Sequence, residues 1–365
     1  MSVADKGKDA ALPPGGTGGG RQDESSSLVT RSSFDPEHRV VAVTGAHSFL
    51  GTEVIRRMEH DRRYAKVLAI DIRRPTIPLT KTQFYKVDLT LPSVDGDVAH
   101  ILKREKADTL VHLAFLSKPS HNTTWAHELE AIGTMHVLNA CAACRVHKFV
   151  MWSLAALYGP SPQNPNFLTE EHRLQGVPGS RFFSDKLEAE RLAHRFRNEN
   201  PAATVTILRM ANIVGRRIHN YISNFFALPV VPVMMGYDPL VQLLHEEDAV
   251  DVLKLAVDAD FNADYNVAGD GVLPLSTVLA LAGRVALPIP HAVAYPLAKV
   301  LWMTQVFDAP PMYLDFMRYL TVVDTARVRR EVGFSPRFDI RRIIADFVAP
   351  VHERADAANP AAGRA

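Results

Sequence analysis

The sequence predicts an α/β protein: a doubly wound parallel sheet with helices on both faces, followed by a smaller, mainly helical C-terminal lobe. Three observations carry that reading. The stretch Val40 to Gly51, VVAVTGAHSFLG, runs from a β-branched apolar strand through Thr44-Gly45 into the helix positions Phe49, Leu50, Val54 and Ile55. Short apolar strands then alternate with helical patterns as far as Ile213, the order that builds a parallel sheet. Finally, 365 residues of which 47% are hydrophobic can bury a large core.

The first strand-turn-helix unit has the chemistry of an anion cradle. Turn amides and the positive end of the helix dipole can hold a pyrophosphate, with Gly45 permitting the tight turn and Gly51 letting helix and strand pack closely. The loop resembles the TGxxGxxG fingerprint of the short-chain dehydrogenase/reductase superfamily, with Ser48 in place of the middle glycine. The Ser48 side chain either donates a hydrogen bond to phosphate or crowds it. Gly45, Ser48, Phe49, Leu50 and Gly51 are the loop's cofactor-binding candidates.

The second strand, Val67 to Asp71, ends in an acid about 20 residues beyond the fingerprint, where a carboxylate accepts from both ribose hydroxyls of an adenosine. That favours NAD, although Arg73 and Arg74 just downstream offer a clamp for the 2′-phosphate of NADP. The bland alternative is a solvated acid at a strand end. A third strand, Phe84 to Asp88, and a fourth, Thr109 to Phe115, precede a long helix over Glu128 to Cys144.

These segments together resemble the NAD-dependent epimerase/dehydratase family, the extended short-chain dehydrogenases that include nucleotide-sugar epimerases. HLAF at 112–115 is similar to the family's HLAA, and EAIGTMHVLNAC to its NVxGTxxLLEAA, with Glu130 in place of the usual Asn. LRMANIVG (Leu208 to Gly215), LLHEEDAVDVL (Leu243 to Leu253), YNVAGDG and the late DTARVRREVGFSPRF continue the likeness. The resemblance implies a Rossmann-like dinucleotide domain at 39–215 and a substrate lobe with returning segments at 216–350. It also places adenine near Asp88 and Leu89, and the backbone of Leu113 and Ala114 along the dinucleotide's central groove.

In this family a tyrosine, lowered in pKa by a lysine one helical turn later, carries the proton while hydride passes between substrate and nicotinamide. The matching positions here are Phe182 and Lys186 in SRFFSDKLEAERL, and the usual Ser/Thr position is Leu154, with a hydroxyl displaced to Ser153. A phenylalanine cannot exchange a proton. Lys186 and Ser153 remain the catalytic candidates, with Lys186 also a ligand for the nicotinamide ribose; Tyr158, Ser184 or His172 are the other groups able to supply a proton in a shifted geometry. No tyrosine lies between Gly159 and Tyr221.

By the same resemblance Asn212 and His245 face the substrate, the alternatives being a turn-fixing Asn212 and a His245 packed ahead of a helix that begins near Glu246. Val241-Gln242 stands where many nucleotide-sugar enzymes carry a diphosphate-gripping arginine. The function expected is an NAD(P)-binding oxidoreductase acting on a nucleotide sugar or related hydroxyl-bearing small molecule with a non-standard proton donor. The rival is a catalytically weakened dinucleotide-binding sensor or partner scaffold.

Composition bounds the rest. A formal net charge of +1 without a long basic block implies no nucleic-acid partner. Cys141 and Cys144, the only cysteines, are spaced C-x-x-C, which invites a metal or redox reading; but they sit in a plain apolar helix, two thiols do not complete a structural zinc site, and the positive context of a redox motif is not evident. The apolar stretches Phe225 to Met235 and His291 to Phe307 are interrupted by prolines or too short to span a bilayer, and read as core and cleft wall or as an exposed apolar surface. Residues 1–38 and 351–365 read as disordered tails, the compartment as cytoplasmic, and helices near 96–106 and 123–145 as the surface of a homodimer like that of relatives.

Overall fold

A computed structural model describes residues 38–305 and 310–349; apart from His38, the tails expected at 1–38 and 351–365 lie outside the described residues. The first half of the chain alternates as its patterning predicts. β1 (Arg39–Thr44), α1 (Phe49–Glu59), β2 (Tyr64–Asp71), β3 (Thr82–Lys86), α2 (Val94–Glu105) and β4 (Thr109–His112) follow in turn. α3 (Thr123–His127) runs through a π-helical turn, Glu128–Ile132, into α4 (Gly133–Cys144). β5 (Lys148–Leu154), α5 (Arg181–Glu199) and β6 (Thr204–Met210) complete the series, and the strand Asp264–Val267 returns to the sheet beyond β6.

The seven strands lie in the order β3-β2-β1-β4-β5-β6 and then Asp264–Val267, all parallel. Strand order reverses between β1 and β4, and in such sheets ligands settle at the carboxyl ends of the strands at this reversal. One face is covered by α1 and the helix Glu246–Asp258, through Leu50, Val54, Ile55, Val250 and Leu253. The other is covered by α2, α4 and α5, through Val98, Val137, Cys141, Ala189 and Ala193. Buried on both faces, β1 and β2 carry near-continuous apolar runs instead of alternation.

β4 is shorter than the run Thr109 to Phe115 suggested. Pairing with β1 stops at His112, and Leu113 turns away after donating its N–H to Thr44 O at 3.1 Å. The helix expected over Glu128 to Cys144 begins earlier, at Thr123, capped by Asn122 accepting the Trp125 N–H.

Beyond β6, apart from Glu246–Asp258 and Asp264–Val267, the described chain forms three small two-stranded sheets and further helices. Asn212–Val214 pairs in parallel with Leu243–His245, Val230–Met234 in parallel with Val285–Ile289, and Leu240–Val241 antiparallel with Leu273–Pro274. The further helices include Tyr221–Ala227, Leu275–Leu281, His291–Met303 and Ile340–Val348. Among the described residues no helix is long and apolar enough to cross a membrane.

Candidate functional site

At the β1 carboxyl end Gly45 takes φ +69°, and a Cβ there would lie 2.4 Å from Leu113 O. A Cβ on Gly51 would lie 2.2 Å from Gly45 O. Neither position admits a side chain without moving backbone, so the loop is held tight against β4 and α1 against the loop. Ser48 is the N-cap of α1, its Oγ accepting the Gly51 N–H at 3.1 Å. That hydroxyl is turned back into the helix. Thr52 N donates to Ser48 O at 2.9 Å, so the amides of Phe49 and Leu50 remain as the first-turn donors without an intrahelical acceptor.

Phe49 and Leu50 line a cleft of about 830 Å³, together with Ser48, Leu113, Trp152, Leu154 and Phe182. Asp71 stands at the end of β2, one carboxylate oxygen accepting the His47 N–H at 2.9 Å and the other the Arg73 N–H at 3.1 Å. It therefore ties the glycine loop to the segment after β2 and keeps lone pairs for a further donor. Arg73 and Arg74 are both exposed beside it. Asp88 accepts from Thr90 N–H at 3.0 Å and Thr90 Oγ1–H at 2.7 Å, fixing the turn after β3. Leu89 is buried against the α4 start, where a Cβ on Gly133 would meet its side chain at 3.2 Å. Ala114 is half-buried beside Leu113.

A buried chain of hydrogen bonds fixes the floor. Thr134 Oγ1 donates to Glu130 O and accepts from His112 Nε2 at 2.9 Å, which leaves His112 Nδ1 to accept from Thr44 Oγ1 at 2.7 Å. Burial pushes the His112 pKa down to about 3, so the ring is neutral and the tautomer is set by its neighbours.

Lys186 lies one turn after Phe182 on α5, behind the cleft wall. Its Nζ pairs with Glu130 Oε1 and donates to Leu116 O at 3.1 Å. The rings of Phe182, Phe115 and Trp152 surround it, with centroids 4.4, 5.1 and 5.7 Å from Nζ. Lys186 and Ser153 border a narrow crevice that shares Phe115, Trp152 and Leu154 with the main cleft. The Ser153 hydroxyl is buried and has no hydrogen-bond partner among the described residues, nor has the second carboxylate oxygen of Glu130. Burial pushes the Lys186 pKa down and the Glu130 pKa up, each opposed by the charge of the other.

The three alternative proton carriers lie elsewhere. Tyr158 OH is fully buried between Asn266 Oδ1 at 2.8 Å and Arg209 Nη1 at 3.1 Å. Ser184 Oγ donates to Arg181 O on the exposed side of α5, and His172 sits exposed against Thr169. His245 is the N-cap of the helix Glu246–Asp258, its ring stacked on Phe338 at 3.7 Å and its Nε2 3.3 Å from Asp346. It is not among the residues lining the cleft of Phe49 and Leu50. Cys141 is buried and Cys144 Sγ donates to Ala99 O at 3.2 Å; both are free thiols, with burial raising the pKa of each.

Asn212 is different. It lines both the first cleft and a second of about 1130 Å³, and so does Tyr221, whose OH donates to Asn212 Oδ1 at 3.3 Å. The Tyr221 ring stands edge-on to Phe182, centroids 6.4 Å apart. A phenol is thus present at the seam of the two clefts, carried by the first turn of the helix Tyr221–Ala227. Asn220 caps that helix, accepting from Ile222 N and Ser223 N while Ser223 Oγ accepts from Asn220 N. Reading α5 alone could not reveal it; the only sequence signal is the Asn-Tyr-x-Ser cap a few residues after Gly215.

The family model described as the NAD dependent epimerase/dehydratase family matches residues 41–268. An uncharacterized protein of Mycobacterium tuberculosis is 30% identical over 307 residues, covering 82% of this chain and 81% of that protein. Among solved structures, a UDP-glucose 4-epimerase from Thermotoga maritima with UDP-glucose superposes with a TM-score of 0.66 at 15% identity, covering 87% of this chain and 99% of the other. A dTDP-glucose 4,6-dehydratase from Bacillus anthracis in complex with NAD gives 0.65 at 16% identity, with coverages of 87% and 98%. At such identities the structures speak for the fold.

Proposed function

The chain belongs to the NAD-dependent epimerase/dehydratase family, and on that premise we propose that it binds NAD at the carboxyl ends of β1 and β4 and acts on a hydroxyl- or carbonyl-bearing small molecule, with Tyr221 holding the proton. The residues present fit the cofactor. Gly45 and Gly51, where a Cβ would strike backbone, let the loop and α1 close tightly at the strand ends, the Phe49 and Leu50 amides offer donors to a pyrophosphate, and Asp71 offers acceptors to ribose hydroxyls. A 2′-phosphate beside Asp71 would be repelled, which favours NAD over NADP. When bound, the nicotinamide supplies or takes up hydride.

The observation that carries the reading is Tyr221, which lines both clefts and is hydrogen-bonded to Asn212, itself a lining residue of both. Asn212 orients the phenol through their shared hydrogen bond. Burial pushes the Tyr221 pKa up, and Lys186, committed to Glu130, is not placed to bring it down. Tyr221 is therefore protonated at neutral pH and suited to giving a proton to a carbonyl oxygen. The test is NADH consumption with a panel of ketones and aldehydes. Tyr221→Phe should lower the rate by about a hundredfold while NADH affinity holds; an unchanged rate would remove Tyr221 from the chemistry.

A second reading has its own support. Phe182 in the phenol's place and the burial of Lys186 against Glu130 favour a protein that holds the dinucleotide without turnover. NADH binding with no consumption by any carbonyl would select it.

A further inference from the structure

Resting on that reading of the site, we propose that the second cleft takes an apolar molecule bearing one carbonyl or hydroxyl group, and not a nucleotide-linked sugar. Among the described residues lining its roughly 1130 Å³ there is no Lys, Arg, His, Asp or Glu. The walls are built from side chains such as Phe225, Leu240, Val241, Leu275, Leu314 and Met317. A nucleoside diphosphate brings two negative charges, and charges are buried only when paired. Among its described lining residues there is no cation to pair with them.

The polar groups it does hold are few: Asn212, Tyr221, Gln242, Tyr313 and Thr321. Gln242 uses both ends of its amide on one residue, Nε2 donating to Val323 O at 3.1 Å and Oε1 accepting the Val323 N–H at 2.9 Å. That double bond to the backbone pins the chain at the position where a phosphate-gripping side chain would be sought. Asn212 and Tyr221 are grouped at the end shared with the dinucleotide cleft. A ligand with one oxygen function would put it there, facing the nicotinamide end, and leave its carbon skeleton along the apolar walls. Such burial of apolar surface with a few convergent polar groups is the ordinary design of a small-molecule site.

The surroundings agree. The helix His291–Met303 lends Ala298 to the wall and turns Val293, Leu297 and Val300 to solvent, with exposures of 52, 42 and 57%. These fall on one face at helical spacing. An apolar ligand approaching past this helix meets apolar side chains outside the cleft as well as within it.

The test measures binding, not turnover: 2-decanone and UDP-glucose are each titrated into the NADH-saturated protein and followed by ligand-observed NMR. Saturable 2-decanone binding, with UDP-glucose weaker by about a hundredfold or more, is expected. Val241→Arg and, on a partly exposed segment, Leu314→Lys should each weaken 2-decanone by about tenfold or more, each variant's fold being checked by its melting curve. Tighter binding of UDP-glucose than of 2-decanone, or 2-decanone affinity unchanged in both folded variants, would overturn the proposal. Because NADH is titrated separately, loss of cofactor binding sinks the proposed function, whereas absent 2-decanone binding with intact NADH binding sinks this inference alone.

Discussion

The Lys186 ammonium and the Glu130 carboxylate form an ion pair almost wholly out of water, side-chain exposures 4 and 0%, beneath the ring of Phe182. Glu130 reaches that place from the π-helical turn Glu128–Ile132 and also accepts the Leu116 N–H at 2.7 Å. One carboxylate thus ties α5, through Lys186, to the loop after β4, through the Leu116 N–H.

Removing one partner leaves an uncompensated buried charge, a cost of about 3–5 kcal/mol, whereas replacing both with apolar groups of similar volume is often neutral. Glu130→Ala should therefore destabilise by about that amount, and Glu130→Leu with Lys186→Met should recover most of it. Urea unfolding of the wild type, the single variant and the double variant measures both. Equal losses in single and double variants would show that the pair itself is not what matters.

Ser48 gives a second prediction. Its hydroxyl caps α1 through the Gly51 N–H, so Ser48→Ala should cost about 1 kcal/mol and Ser48→Gly only a few tenths. Since the hydroxyl points back into the helix, NADH affinity in Ser48→Gly should change by less than about threefold, which is under 1 kcal/mol. Calorimetric titration and urea midpoints on the same samples decide it; a large loss of affinity would mean that the hydroxyl serves the ligand.

Acid stability should report on Glu59 at the end of α1. Burial by itself would raise its pKa, but hydrogen bonds from Thr80, Thr82 and Lys81 outweigh it and hold the carboxyl at about 2 against an ordinary 4.5. A group whose folded pKa is depressed contributes stability that is present above its unfolded pKa and lost as pH falls through the folded one. The wild type should therefore exceed Glu59→Gln in urea midpoint near neutral pH, and the difference should shrink between pH 4.5 and about 2. A gap that stays constant over that window would contradict the assignment.

How much of this could be read beforehand differs by residue. β1 and β2 announce themselves because strands buried on both faces need unbroken apolar runs, and Gly45 because a turn at φ +69° against Leu113 O admits nothing else. The cap made by Ser48 follows a local rule, serine immediately before the first apolar helix position, although a missing fingerprint glycine draws the eye to phosphate instead. The fate of Lys186 is not local. Glu130 lies 56 residues earlier and is aimed only by a π turn that leaves no mark in periodicity. Tyr221 is hidden for a similar reason: it belongs to the chain after Gly215, and only the packing of that chain over the strand ends brings its ring to Phe182. His245 could be read either as a cleft residue or as a cap, and proximity to Phe338 and Asp346 is information that only the folded chain holds.

The measurement that bears most directly on the account is calorimetric titration of the wild type and of Tyr221→Phe with NADH and NADPH. Saturable NADH binding in both proteins, with NADPH weaker by about tenfold or more because of Asp71, is the predicted result. No NADH binding to protein shown to be folded would contradict the assignment of the Gly45–Gly51 loop as a dinucleotide site, and the proposed chemistry at Tyr221 would fall with it.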